Sequence, residues 1–524
     1  MSRERWVTIP PHGLLAAAVF VSFIGTRAGS AQAPELTRGP YLQSLLEDSV
    51  RVIFLTEFPA LGRVRYRVGN GPARTVEDPA PATRHELHLT GLAPATRHDY
   101  EVLLGDTVVA TGHGFRTAPT AGTGRFRAVV IGDSGEPSQP WQRSVTGMIG
   151  RLEWDLFLHT GDIVYTGGID RAFFDEYRRL LSRVGIFPAR GNHPRIPPDE
   201  WFELFRPPPV DLVLPPCELP PAVCAEDPPV PGRAAGARTS TFYSLDWGPA
   251  HIAVLDSNAD FSECSIQMKW LCVDLEAARE RRMPWLILVV HEPAYTTGAH
   301  HVSNQNAARL IPPLADFYDV DLVLSGHDHN YQRTHPLRGG EIVDAWQDPS
   351  FVRPGGTIYV VSGGGGAYRY PEIREAPDRP LVRVFHSLHH ALELEVSPTL
   401  LRVRALRPAA DGFVVLDDWS IRKSGDRPAP GFRRGDANLD RRVDISDAIA
   451  LLGVLFLGRQ FDCPPAFPVV GNVNSSGEVD IADPVYLLNH LFQGGPPPAE
   501  PFTNCEAIPG IDPFLCARAS CVLR

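Results

Sequence analysis

The sequence predicts three structured parts in series: an all-β sandwich, an α/β domain and a small α-helical module of EF-hand type. Three observations lead there. Residues 36–119 alternate apolar and polar side chains in short runs separated by turn residues. From residue 126 onward, apolar β-rich runs end in polar clusters, with amphipathic helical stretches between them. Beyond residue 435 the chain repeats itself at a fixed offset. A chain of 524 residues also exceeds what a single hydrophobic core supports.

The N-terminus, residues 1–33, reads as an export signal. Arg3 and Arg5 precede an apolar run over 14–24, and small residues Ala28, Ala31 and Ala33 follow. That run is too short to span a bilayer, which takes about 20 residues, and no later segment reads as transmembrane. The expectation is a secreted protein: extracellular, at the cell surface or periplasmic. Eight cysteines in an exported chain favour disulfides, and Cys217 with Cys224 and Cys264 with Cys272 are close neighbours. The formal net charge of −11 argues against nucleic acid as the main partner.

In the sandwich, Val64, Tyr66 and Val68 alternate with Arg63, Arg65 and Arg67, the period of a half-buried strand. Leu92-Ala93-Pro94-Ala95-Thr96 then turns the chain toward Tyr100. The stretch resembles fibronectin type III modules, with His98 where their corner tyrosine is expected. No chemistry is read here; the module is a spacer. Residues 120–424 form the α/β part, with apolar runs at 126–131, 156–158, 252–255, 286–290, 322–324 and 358–361. Residues 171–184 carry Phe173, Phe174, Tyr177, Leu180, Leu181 and Val184 at helical spacing. The proline-dense stretch 207–232, with Cys217 and Cys224, reads as an inserted loop.

Five polar clusters follow apolar runs: Gly132-Asp133-Ser134-Gly135, Gly161-Asp162-Ile163-Val164-Tyr165, Gly191-Asn192-His193, Val290-His291-Glu292-Pro293 and Gly326-His327-Asp328-His329. Each alone is weak. Together they offer carboxylates, imidazoles, an amide and a phenol from separate strand ends, where α/β folds gather ligands. Two metal ions about 3.5–4 Å apart need one shared anionic ligand and several terminal ones, and this set supplies them.

The ordered set resembles the calcineurin-like metallophosphoesterases, and the tyrosine of the second cluster resembles purple acid phosphatases in particular. That resemblance implies a four-layer α/β/β/α domain and phosphoric ester hydrolysis of the acid phosphatase type. Asp133, Asp162, Tyr165 and His329 would bind a first metal, ferric iron. Asp162 would bridge, and Asn192, His291 and His327 would complete a second site for iron, zinc or manganese. Ferric iron is a hard ion suited to an anionic phenolate, and the neutral imidazoles and amide suit a divalent ion. His193 would hydrogen-bond the substrate phosphate, and His300 or His301 would contact phosphate or protonate the leaving group. The expected substrate is a phosphate monoester, with a diester as the alternative. Pro194, where the family usually has an acidic residue, and the 207–232 insertion leave the substrate open.

After a linker, 425–434, residues 435–524 hold the repeat. Asp436, Asn438, Asp440, Arg442 (through its carbonyl), Asp444 and Asp447 occupy positions 1, 3, 5, 7, 9 and 12 of a calcium loop. Asn472, Asn474, Ser476, Glu478 (through its carbonyl), Asp480 and Asp483 repeat the pattern 36 residues on. The region resembles dockerin modules, which implies calcium-dependent folding and a cohesin-like partner. A rival reading makes the chain a surface-assembly protein whose tail does the work and whose phosphatase domain is inert.

Overall fold

The computed structural model describes residues 35–137, 139–211, 237–238, 240–299, 305–345, 347–425, 430–440, 442–461, 463–503, 508 and 521–522. The first part is a pair of antiparallel sheets. One holds the strands Leu36–Gln43, Ser49–Ala60 and Ala82–Thr90; the other holds Arg74–Glu77, Gly62–Arg67, Arg97–Leu104 and Thr107–Arg116. Alternation places Val64 and Tyr66 in the core and leaves the intervening arginines at the surface. There Arg63 pairs with Glu77 and Arg65 with Glu101. Tyr100 is buried, and its hydroxyl donates to the Ser182 carbonyl at 2.7 Å, which ties this part to the next.

The α/β part is built on two seven-stranded sheets. In the first, Phe126–Ile131, Leu156–His159 and Gly185–Pro188 run parallel. In the second, Ala250–Val254, Trp285–Val289, Leu322–Ser325 and Ile358–Ser362 run parallel. These strands are buried on both faces, which is why they read as continuous apolar runs. Within Phe126–Ile131 the side chains alternate between two cores. Ala128 and Val130 join Ile252, Ile287 and Leu322 of the second sheet, whereas Val129 and Ile131 join Val145 and Met148 of the helix Pro140–Ile149. The two sheets therefore face each other across one shared core, with that helix outside the first. The helix Ile266–Glu280 packs against Ala250–Val254 of the second sheet.

Residues 171–184 differ from the single helix their spacing suggests. They form a wide-turned segment Asp170–Asp175 and a short helix Arg178–Leu181. Phe173 and Phe174 are both buried within the wide-turned segment. Val210–Asp211, near the start of the insertion, pairs with Ala237–Arg238, just beyond its end. Cys217 and Cys224 lie outside the described residues, whereas Cys264, Cys272 and Cys463 are disulfide-bonded.

Helix Ile266–Glu280 is also held by charge. Buried His251 lies between Asp246, 2.7 Å from Nδ1, and Asp274 of that helix, 2.8 Å from Nε2. Burial alone would lower its pKa, but the two carboxylates outweigh it and raise the value to about 9. A histidine with a raised folded-state pKa stabilises fully below its unfolded value near 6.5 and loses that contribution as pH rises through about 9. Melting temperature should therefore fall across this window, by the equivalent of roughly 1–3 kcal/mol, and His251→Leu should flatten the fall. An unchanged pH profile in the variant would refute the clamp.

The C-terminal part packs the helices Ile445–Leu457 and Ala482–Gln493 around Leu451, Val473 and Leu487. Asp444 caps the first helix, in a reciprocal box with Asp447. Gly458 and Gly494 end the two helices with φ of 64° and 71°, where glycine is the residue that fits without strain.

Candidate metal centre

Each polar cluster leaves the carboxyl end of a strand. Gly132-Asp133 follows Phe126–Ile131, Gly161-Asp162 lies two residues after Leu156–His159, and Gly191-Asn192 follows Gly185–Pro188. His291 follows Trp285–Val289, and Gly326-His327 follows Leu322–Ser325. Asp133, Asp162 and His327 adopt φ of 55°, 52° and 69°, a left-handed conformation uncommon for side-chain-bearing residues. Each such residue costs on the order of 1–3 kcal/mol and persists only where its surroundings impose it. Here three donors share that cost.

The side chains converge in two groups. In the first, the Tyr165 hydroxyl lies 3.0 Å from Asp133 Oδ1, 2.7 Å from Asp162 Oδ2 and 2.8 Å from His329 Nε2. In the second, His291 Nε2 lies 3.0 Å from Asn192 Oδ1, 3.2 Å from His327 Nδ1 and 3.2 Å from Asp162 Oδ1. One oxygen of Asp162 thus faces each group. Asp162, His291 and His327 bring ligand atoms within 4.8 Å of one another.

Hydrogen bonds behind the site decide which ring nitrogens point inward as lone pairs. His291 Nδ1 donates to the Thr160 carbonyl at 2.9 Å, and His329 Nδ1 donates to the Tyr368 carbonyl. With Nδ1 so engaged, each ring turns Nε2 inward; His291 Nε2 faces Asn192 Oδ1 and Asp162 Oδ1, an arrangement that a cation in place of the ring proton satisfies. Carboxylates, a phenol, an amide and imidazoles around two adjacent points suit a hard ion beside a borderline one. The donor set fits a metal pair.

Electrostatics agree. Burial would raise the Asp162 pKa, but His291, the Tyr165 hydroxyl and the His193 amide hold it well below the usual carboxylate range. Burial would lower His291, yet Asp162 raises it to about 9. Burial, then Asp133 and Asp162, push Tyr165 well above the ordinary phenol value. The protein alone therefore keeps this phenol protonated, and only a strong cation beside it would reverse that.

Supporting residues with no motif of their own complete the frame. Arg190 pairs with buried Asp256 at 2.7 Å, and Asn258 Nδ2 donates to the Gly191 carbonyl at 2.9 Å, which fixes the loop carrying Asn192. The Tyr370 ring stacks on His329 with centroids 4.3 Å apart. The glycine run Gly363-Gly364-Gly365-Gly366 after a buried strand is the sequence signal for that close-approaching loop. The motif glycines have steric reasons too. A Cβ on Gly191 would lie 2.0 Å from Asp162 Oδ1, and one on Gly161 would lie 2.4 Å from His291 Nδ1. Gly191→Ala should lower metal occupancy and activity together by at least ~10-fold, a ligand-orientation effect; full occupancy by elemental analysis would disprove that steric account.

His193 sits beside the first group, exposed, with its ring 5.0 Å from that of Tyr165 and its amide donating to Asp162 Oδ1 at 2.7 Å. His300 and His301 lie outside the described residues. His389 and His390 hydrogen-bond to the Ala367 and Leu388 carbonyls.

Residues 126–331 match the family model of the calcineurin-like phosphoesterases. Over that stretch the chain is similar to the calcineurin-like phosphoesterases, and it shares homology with purple acid phosphatases. The chain is 27% identical over 324 residues to probable inactive purple acid phosphatase 27 of Arabidopsis thaliana, covering 57% of this chain and 51% of that one. It is 25% identical over 309 residues to purple acid phosphatase 21 of the same plant, covering 57% and 62%. The chain thus spans about half the length of the first of these relatives. Among solved structures, a purple acid phosphatase from yellow lupin (Lupinus luteus) seeds shares the fold, with a TM-score of 0.59, 20% identity and 74% of each chain covered. Purple acid phosphatase homology implies a dinuclear metal centre, and the metallophosphoesterase fold accounts for the two sheets whose strand ends carry the donors.

Proposed function

We propose that the chain is a secreted phosphohydrolase with a dinuclear metal centre, acting on phosphate monoesters. The observation that carries this reading is Asp162, whose two oxygens face two separate donor groups. Asp133, Tyr165 and His329 would hold ferric iron with Asp162. Asn192, His291 and His327 would hold iron, zinc or manganese on its other side. When bound, the ions supply Lewis acidity toward the phosphoryl oxygens and lower the pKa of water. The protein's own part is orientation. The Thr160 and Tyr368 carbonyls fix the imidazoles, and the His193 amide steadies Asp162. The exposed His193 ring would donate to a phosphate oxygen, and His300 or His301 would deliver a proton to the leaving oxygen.

The test combines metal analysis, visible absorption and p-nitrophenyl phosphate hydrolysis. Two metals per chain, turnover, and a visible band that Tyr165→Phe abolishes are expected. A metal-free, inactive protein would overturn the reading and favour the inert-enzyme rival, in line with the word "inactive" in one relative's name. Export is supported by the disulfide-bonded cysteines and by the N-terminal sequence pattern.

For the C-terminal part we propose a calcium-binding, dockerin-like module that docks on a cohesin-like protein. Asp447 accepts from the amides of Asn438 and Asp444 at 3.1 and 2.8 Å, and Asp483 accepts from those of Asn474 and Asp480 at 3.0 and 2.8 Å. Both loops are therefore folded alike around their last carboxylate. Ile445, Ile449 and Phe456 stand exposed, and their repeats Ile481, Val485 and Phe492 stand exposed as well, which supports a docking role.

A further inference from the structure

The loop that orients His329 has a second side. One residue before Tyr368, the Ala367 carbonyl accepts from His389 Nε2 at 3.0 Å. His389 lines a basin of about 580 Å³ whose walls include Trp141, Arg143, Arg151, Arg369 and Arg407. The Trp141 ring stacks on His389, with centroids 5.0 Å apart and planes 19° from parallel.

The charge of this basin is unusual for the chain. The protein carries a formal net charge of −11, and about half of its described arginines pair with carboxylates, as Arg333 does with Asp348 and Asp417. Among the described residues, no aspartate or glutamate lines the basin. The nearest counter-charge to Arg143 is Glu176, 4.0 Å from Nε, the outer limit of an ion pair. Arg369 spends one N–H on the Ser387 carbonyl at 2.9 Å. Among the described residues, no carboxylate lies within 4.0 Å of Arg151, Arg369 or Arg407. Four guanidiniums around one concavity repel each other unless an anion joins them.

We propose that this basin is a second anion site, separate from the metal donors, for a ligand carrying two or more linked phosphates. Guanidinium forks match phosphate oxygens in pairs, so four of them exceed what a single phosphate uses. A phosphate chain has the spacing to engage several at once. The Trp141–His389 stack closes one wall, and the Tyr368 side of the loop links the site's occupancy to the seat of His329. The site does not require that the metal centre be catalytic.

The test is calorimetric titration of the full chain with inorganic tripolyphosphate. The metal centre is disabled by Asp162→Ala, or by His291→Ala should the first fail to fold. Tripolyphosphate should still bind this protein, and adding Arg151→Glu with Arg407→Glu should weaken binding at least 10-fold. Both arginines are exposed, so the reversals should leave folding intact. In the otherwise native chain the same reversals should leave p-nitrophenyl phosphate hydrolysis within twofold. Binding that vanishes in both metal-site variants would assign tripolyphosphate to the metal centre alone and overturn the proposal. An affinity indifferent to the two reversals would overturn it as well.

Discussion

Asp162→Ala should abolish both metal binding and phosphate ester hydrolysis, with turnover falling roughly 10⁴-fold or more. Metal-assisted hydrolysis of the proposed kind supplies many orders of magnitude over the uncatalysed reaction, and nearly all of it depends on the metals. The expectation of a double loss comes from geometry. Asp162 Oδ2 faces Tyr165 at 2.7 Å, and Asp162 Oδ1 faces His291 at 3.2 Å, so one substitution removes a donor from each group. Removing a donor from one group only, as in Asn192→Ala, should be milder and should spare the visible band expected of the iron proposed beside Tyr165. Elemental analysis of the two variants separates these outcomes. If Asp162→Ala kept one metal at full occupancy, the shared-ligand reading would fail.

Calcium removal should have the second largest effect, confined to the C-terminal module. A ligand that binds only the folded form stabilises it by about 4 kcal/mol at a thousand times its dissociation constant. In a unit of this size that corresponds to roughly 15 °C or more in melting temperature. Calorimetry of the full chain with and without a calcium chelator should show one transition fall by that amount while the two-sheet domain holds. The first proposed calcium loop offers four carboxylate side chains, at Asp436, Asp440, Asp444 and Asp447; the second offers two, at Asp480 and Asp483. Asp444→Ala should therefore weaken calcium binding more than Asp480→Ala. The reverse order would show that the glycine at position 477, with φ of 104°, matters more than charge.

The donor residues were legible in the sequence because the signal is local. Each of the glycines 132, 161, 191 and 326 stands directly before a donor, after an apolar strand, and contact with other donors forbids a side chain at Gly161, Gly191 and Gly326. The strand order was not legible. Ala391–Ser397 pairs with Phe126–Ile131 across more than 250 residues, and nothing local in either strand names its partner. Nor was the strand Gly185–Pro188 evident, since four residues carry too little periodicity to register. The carbonyls of Thr160 and Tyr368 were hidden for a different reason: any residue has a carbonyl, so backbone acceptors leave no trace in residue type. Arg190 and Asp256 look like ordinary surface charges until the fold buries them together.

The provenance of the donors has a further consequence. Asp133, Asp162, Tyr165 and Asn192 hang from the first sheet, whereas His291, His327 and His329 hang from the second. Every oxygen donor is on one side and every imidazole on the other. A cation seated there acts as a rivet through the seam between the two halves. Metal loading should then slow hydrogen exchange in strands of both sheets at once, including amides far from any donor.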